Sequence, residues 1–136
     1  MTGPAATPPG PSATATPGAT STPGAPAAAP LAAKQCVPCE GGVPALNMDQ
    51  ARALMPQLSA DWKLADDAKS LKRAFKFRDF YRTMSFVNAV AHVANAEDHH
   101  PDLAIGYDYC RITYSTHAIG GLSENDFICA AKIDRI

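Results

Sequence analysis

From residue 47 onward, hydrophobic and polar positions fall into short periodic segments. Asn47 offers a helix N-cap, with Gln50 three positions on in a capping-box relation. Ala51, Leu54, Met55 and Leu58 then lie on one side, and Pro56 inside that pattern predicts a stop or kink near Leu54. Trp62-Lys63-Leu64 and Leu71 to Phe77 alternate as two strands joined by a turn at Asp66, Asp67 and Ala68. In the second strand Leu71, Phe75 and Phe77 share a face, with Arg73 the exception on that side. Asp79 caps the longest predicted helix, about Phe80 to Ala96, with a buried stripe of Phe80, Met84, Val87, Ala91 and Ala94. Pro101 disfavours the helical conformation at His100 and ends it.

Two more strands follow, Leu103 to Tyr107 and Tyr109 to His117. In the latter, Cys110, Ile112, Tyr114 and Thr116 share the apolar face, and Arg111, Thr113, Ser115 and His117 the polar one. Gly120-Gly121 makes a turn, Ser123 caps, and Phe127, Ala130 and Ala131 mark a last amphipathic helix. Hairpins joined by one long helix predict the α+β class: a four-stranded antiparallel sheet with helices packed on one face, in helix-β-β-helix-β-β-helix order.

Ahead of these segments the pattern disappears. Residues 1–33 are almost entirely Ala, Pro, Thr, Gly and Ser, with no charged or aromatic residue. Such a stretch cannot bury enough apolar surface to offset the entropy of ordering it. Residues 1–35 are therefore expected to be a disordered leader that contributes nothing to stability, and 36–136 the folded domain.

The formal charge of −1 gives no general attraction to nucleic acid or to an anionic membrane. There is no run of about 18 apolar residues to span a bilayer. The N-terminus lacks the basic and compact apolar regions of a secretory signal, so reduced thiols and a cytoplasmic location are expected. Cys36-x-x-Cys39 is half of a zinc site without a second ligand pair, so no metal is expected, and Cys110 and Cys129 read as packing thiols.

Three of the four histidines stand at the ends of elements: His99 and His100 where the long helix stops, His117 where the last strand stops. His92 lies mid-helix, off the apolar stripe, and reads as a solvated residue. Imidazole gives and takes protons near neutrality, so such a group suits general acid–base chemistry. Helix-end capping and metal ligation are the alternatives. Asp126 follows Ser123 by three residues, the spacing of a capping box.

Asp98-His99-His100-Pro101-Asp102, then Tyr107, Ser115-Thr116-His117, Gly120-Gly121-Leu122-Ser123 and Asp126 resemble the signature of the pterin-4a-carbinolamine dehydratases. That signature has an acidic or basic residue four before the first of His-His-Pro, then an aromatic, a His and an Asp at set intervals. Five residues separate Pro101 from Tyr107, nine separate Tyr107 from His117, and eight separate His117 from Asp126. The Cys36 to Val43 segment resembles the N-terminal stretch of bacterial members, and Phe75 to Phe86 the family's strand-to-helix passage. Asn95 stands where the family prefers a charged residue, and Glu97 or Asp98 is a nearby alternative source of charge.

The resemblance implies dehydration of 4a-hydroxytetrahydropterin to quinonoid dihydropterin and water, after aromatic amino-acid hydroxylation. The pterin's own ring nitrogen expels the hydroxyl, so no cofactor is implied. His99 and His117 would be the acid–base pair, His100 would bind and orient the pterin, and Asp126 would hold a ring N–H or an imidazole. Implied partners are the pterin, an aromatic amino-acid hydroxylase, and further copies of the chain in a homodimer or homotetramer, with no nucleic acid and no membrane. Two other readings compete: a non-catalytic dimerisation or assembly-factor relative acting through protein contacts, and a metal-dependent hydrolase built on His99, His100, His117 and Asp126. The second is disfavoured because no ligand pair stands at i, i+4.

Overall fold

The computed structural model describes Gly3, residues 29–39 and residues 41–136 of the chain. Asn47 caps the first helix, α1 (Met48–Leu54), through a reciprocal pair with Gln50: the Gln50 amide N–H donates to Asn47 Oδ1 at 2.8 Å, and the Asn47 N–H to Gln50 Oε1 at 2.9 Å. Pro56 stops α1 as expected, and the chain tightens into a 3₁₀ turn over Met55–Gln57. Strands β1 (Lys63–Leu64) and β2 (Leu71–Lys76) form a hairpin, and α2 (Phe80–Glu97) crosses the sheet. Then come β3 (Asp102–Ile105), β4 (Tyr109–Tyr114) and α3 (Glu124–Ile133). The sheet is antiparallel throughout, in the order β1-β2-β4-β3.

Register decides which side is buried. Leu71 faces Tyr114, Phe75 faces Cys110, and Ile112 faces both Arg73 and Leu103 across the ladders. These positions form the covered face, on which α2 and α3 lie. Lys72, Ala74, Arg111 and Ala104 project from the other face and are exposed. The core between helices and sheet is built on Trp62, Leu71, Val90, Ile112, Tyr114, Leu122, Phe127 and Ile133.

Arg73 is the polar residue on the covered face. Its guanidinium pairs with Asp134, just past α3, at 2.5 Å, while the Trp62 indole N–H and the Ser59 amide donate to the same carboxylate at 2.7 and 2.8 Å. The cation also lies 4.2 Å from the centroid of the Phe75 ring.

Several expectations need correction. The ordered chain begins before residue 36: Leu31–Ala33 form a 3₁₀ turn, and Leu31, 1% exposed, belongs to the core beside α3. One leucine, directly after Pro30, supplies an apolar anchor that the composition of the stretch conceals. Most of the leader, residues 4–28, lies outside the described residues. The buried stripe of α2 is Thr83, Val87, Val90 and Ala94 rather than the line through Phe80 and Met84. Phe80 sits at the first turn and packs beside exposed Tyr107 (centroids 6.5 Å) instead of over the sheet. Thr83 is tolerated because its hydroxyl lies 2.9 Å from the carbonyls of both Asp79 and Tyr107. β3 ends at Ile105, because the Gly106 N–H turns to the Tyr109 carbonyl (3.0 Å). β4 ends at Tyr114, three residues short of His117.

Because Leu31 is a full side chain in a packed core, Leu31→Ala is expected to cost about 2–4 kcal/mol. Urea unfolding that matched the parent within error would show the turn to be undocked.

Candidate active site

The site begins where α2 stops. Asp98 takes the left-handed conformation (φ 49°, ψ 40°), and its N–H closes onto the carbonyls of Ala94 and Asn95. The next N–H, of His99, also returns to Ala94 (3.1 Å), in the manner of a left-handed helix cap. This turn parts the two adjacent histidines. The His99 ring goes inward, 12% exposed, stacked on Tyr114 with centroids 5.7 Å apart and planes at 7°. His100 stays at the surface, its Nε2 3.1 Å from Asn95 Oδ1.

The second arm comes from the end of β4. Thr116 pairs with Gly121 across a short loop, its N–H donating to the Gly121 carbonyl at 2.7 Å. Between them His117–Ile119 make a 3₁₀ turn ending at Gly120, whose φ of 66° suits glycine. His117 therefore opens a turn instead of ending a strand, and strand parity does not set its direction. The loop brings the start of α3 against the end of β4. There Ser123 and Asp126 form the capping box that their spacing suggests.

Asp126 does more than cap. Its Oδ2 accepts from the Ser123 N–H (2.9 Å) and the Thr116 hydroxyl (2.7 Å), while Oδ1 accepts from His99 Nε2 at 2.6 Å. The carboxylate is fully buried and stands in the first turn of α3, where the helix dipole favours negative charge. Burial alone would discourage a charge on His99, but the hydrogen bond and charge of Asp126, with help from Asp98 and Cys129, prevail and raise its pKa above the ordinary histidine value. With Nε2–H committed to Asp126, Nδ1 is the nitrogen left to exchange a proton.

His99, His100 and His117 line one cavity of about 520 Å³, together with Asp98, Ser115 and Thr116. His92 is exposed and takes no part. Asn95 lies outside the lining, and its side chain reaches the site through His100. Glu97 does not replace the missing charge at 95, because its carboxylate is bound to Lys132 (2.9 Å) and to the Cys36 N–H (2.8 Å). The other wall was not foreseen: residues Cys36 to Cys39 border the same cavity. A larger hollow of about 700 Å³ lies over the exposed sheet face around Lys72 and Arg111. It contains no histidine, whereas the smaller cavity gathers three.

Cys36 and Cys39 gather no third metal-ligating side chain among the described residues. Cys129 is buried, as a packing thiol should be, with its sulfur 3.6 Å from that of Cys36. The hydrogen bond between them pushes the Cys36 thiol up and the Cys129 thiol down. Cys110 is buried on the covered face.

Asn95 is the hydrogen-bonding partner of His100. Asn95→Ala is expected to raise KM about three- to tenfold, the worth of one ordinary hydrogen bond, without moving either limb of the pH–rate profile. A shifted limb would mean that Asn95 tunes a proton and does not merely hold a ring.

An α+β domain with a buried carboxylate–imidazole pair opening into a cavity lined by two more histidines has the parts of a general acid–base catalyst. The chain belongs to the pterin 4 alpha carbinolamine dehydratase family, whose pattern it matches over residues 44–136. A Nitrosomonas europaea protein named "Putative pterin-4-alpha-carbinolamine dehydratase" is 58% identical over 103 residues, 76% of this chain and 89% of the relative. A Legionella pneumophila protein of the same name is 55% identical over 106 residues, 78% of this chain and 94% of the relative. Among solved structures, a transcriptional coactivator/pterin dehydratase from Brucella melitensis aligns with a TM-score of 0.62 at 28% identity, covering 67% of this chain and 96% of that one. Among the described residues no helix is long and apolar enough to cross a membrane.

Proposed function

We propose that the protein dehydrates a 4a-hydroxytetrahydropterin, 4a-hydroxytetrahydrobiopterin in the first instance, to the quinonoid dihydropterin and water. This would serve pterin recycling beside an aromatic amino-acid hydroxylase in the cytoplasm, with the chain acting as a homodimer or homotetramer. The observation that carries the reading is the His99–Asp126 pair opening on a cavity shared with His100 and His117. A pure assembly scaffold has no use for an imidazole held at 2.6 Å from a buried carboxylate.

The reaction breaks the bond from C4a to its hydroxyl oxygen. The lone pair of the adjacent ring nitrogen forms the new C=N bond, the oxygen takes a proton and leaves as water, and that nitrogen gives up its proton. His99 is the donor to the departing oxygen through Nδ1, since its raised pKa keeps the imidazolium populated. His117, on the opposite arm, accepts the ring proton. His100, held by Asn95, orients the pterin. Asp126 fixes the His99 ring and balances its charge without touching substrate.

The test is a dehydration assay with chemically generated 4a-hydroxytetrahydropterin. Decay of that compound many-fold faster than its spontaneous loss is the expected result. Decay at the spontaneous rate, with folded protein present, overturns the proposal.

A further inference from the structure

We propose that residues Cys36 to Cys39 are the apolar wall of the pterin site, and that Asn125 is the positioning residue that holds them there. This deepens the dehydratase reading and rests on it. Two side chains hold the wall, Asn125 and Glu97. The Asn125 side-chain amide pairs with both backbone groups of Val37, Oδ1 accepting from the Val37 N–H at 3.1 Å and Nδ2 donating to the Val37 carbonyl at 2.6 Å. A primary amide presents the same donor and acceptor as a peptide group, so Asn125 serves the segment as a one-residue strand partner. Nδ2 also lies 3.0 Å from Cys39 Sγ. Glu97, at the end of α2, accepts from the Cys36 N–H at 2.8 Å and is itself held by Lys132 on α3.

Asn125 is 4% exposed, and its polar groups are spent on this segment. Val37 is 68% exposed although it is a large apolar residue bordering the cavity, as is its neighbour Pro38. The rest of the lining is largely polar: the histidines, Asp98 and the residues that follow β4. A pterin is a flat bicycle with apolar faces and a polar edge. A cavity whose lining joins polar groups to the apolar Val37 and Pro38 suits that shape. The wall sets where the ring rests relative to the imidazoles and exchanges no proton itself. Its loss should weaken binding and spare the chemical step.

The experiment compares the full-length parent with Asn125→Ala and Val37→Ser. Val37 is already exposed, so its replacement keeps the proposal testable even where Asn125→Ala folds poorly. Affinity for 7,8-dihydrobiopterin is measured by calorimetry, and KM and kcat in the dehydration assay. Expected are weaker binding and higher KM, by about tenfold for Asn125→Ala and about threefold for Val37→Ser, with kcat within about twofold of the parent and both pH limbs unmoved. A melting temperature lowered in Asn125→Ala while both variants keep parental affinity and KM would overturn the proposal, leaving Asn125 a purely structural residue. If the parent binds dihydrobiopterin but dehydrates nothing, the dehydratase reading fails and the affinity ratios still judge the wall. A parent that binds no pterin overturns both.

Discussion

Asp126→Asn is expected to slow dehydration by roughly 10²–10⁴-fold while leaving the fold intact. The amide oxygen can still accept from Ser123 and Thr116, but the NH₂ group then faces His99 Nε2 across the 2.6 Å contact. The ring must present a lone pair at Nε2, which moves its proton to Nδ1 in the neutral form and removes the charge that favoured the imidazolium. Two pH signatures accompany the lost rate. As the acid, His99 sets the alkaline limb of the pH–rate profile; in the parent that limb follows a raised pKa, and in Asp126→Asn it moves to lower pH. The stability linkage has the same origin. A raised folded-state pKa contributes stability that is fully present below the unfolded histidine value, near about 6.5, and lost as pH rises through the folded value. Urea midpoints of the parent should therefore fall through this range relative to those of Asp126→Asn. An unmoved alkaline limb in the variant would remove His99 from the role of acid.

The second large effect is on stability and lies far from the cavity. Asp134→Ala is expected to cost about 3–5 kcal/mol, because it strands the Arg73 guanidinium on the covered face of the sheet. Asp134 and Arg73 side chains are each 16% exposed, and the carboxylate also satisfies the Trp62 indole and the Ser59 amide. The Arg73 Nε is already buried without a partner, and the cation would be left with the solvent-exposed Asp61 carboxylate at 3.5 Å and the Phe75 ring. Replacing both partners with apolar residues, as in Arg73→Met with Asp134→Leu, should recover most of the loss. Equal midpoints for the parent and Asp134→Ala in urea would show that water reaches the arginine and the pair contributes little.

The elements were legible because local rules and burial agree along most of the chain. The caps at Asn47, Asp79 and Ser123 and the break at Pro56 act within a few residues and depend on no distant contact. Where tertiary packing decides, pattern alone went astray. Phe80 is apolar enough for the stripe, yet it lies exposed beside Tyr107, and Thr83 takes the buried place because two carbonyls lie within reach of its hydroxyl. Leu31 was hidden by its surroundings: a single anchoring side chain does not change the composition of a 33-residue segment.

For the site, the resemblance to the family singled out His99, His100, His117 and Asp126, and the three histidines share one cavity. It could not announce that one carboxylate serves both the α3 cap and the His99 ring, because that depends on the Thr116–Gly121 pairing that brings α3 to β4. The Cys36–Cys39 wall also escaped, since it is held by Glu97 and by Asn125, 61 and 88 residues away along the chain. Asn125 stands between Glu124 and Asp126 in the polar first turn of α3, so nothing in the sequence marked it as the partner of a distant backbone.

That paired imidazoles carry the proton transfers is the claim on which the mechanism rests, and single-turnover dehydration of 4a-hydroxytetrahydropterin by the parent, His99→Ala, His117→Ala and the double variant probes the chemical step itself. Each single variant should lose roughly 10²–10⁴-fold in the chemical step, and the double variant far less than the product of the two, because the groups act as one unit. Parental rates in both single variants, with pterin affinity retained, would contradict the claim and place the catalytic protons elsewhere in the cavity.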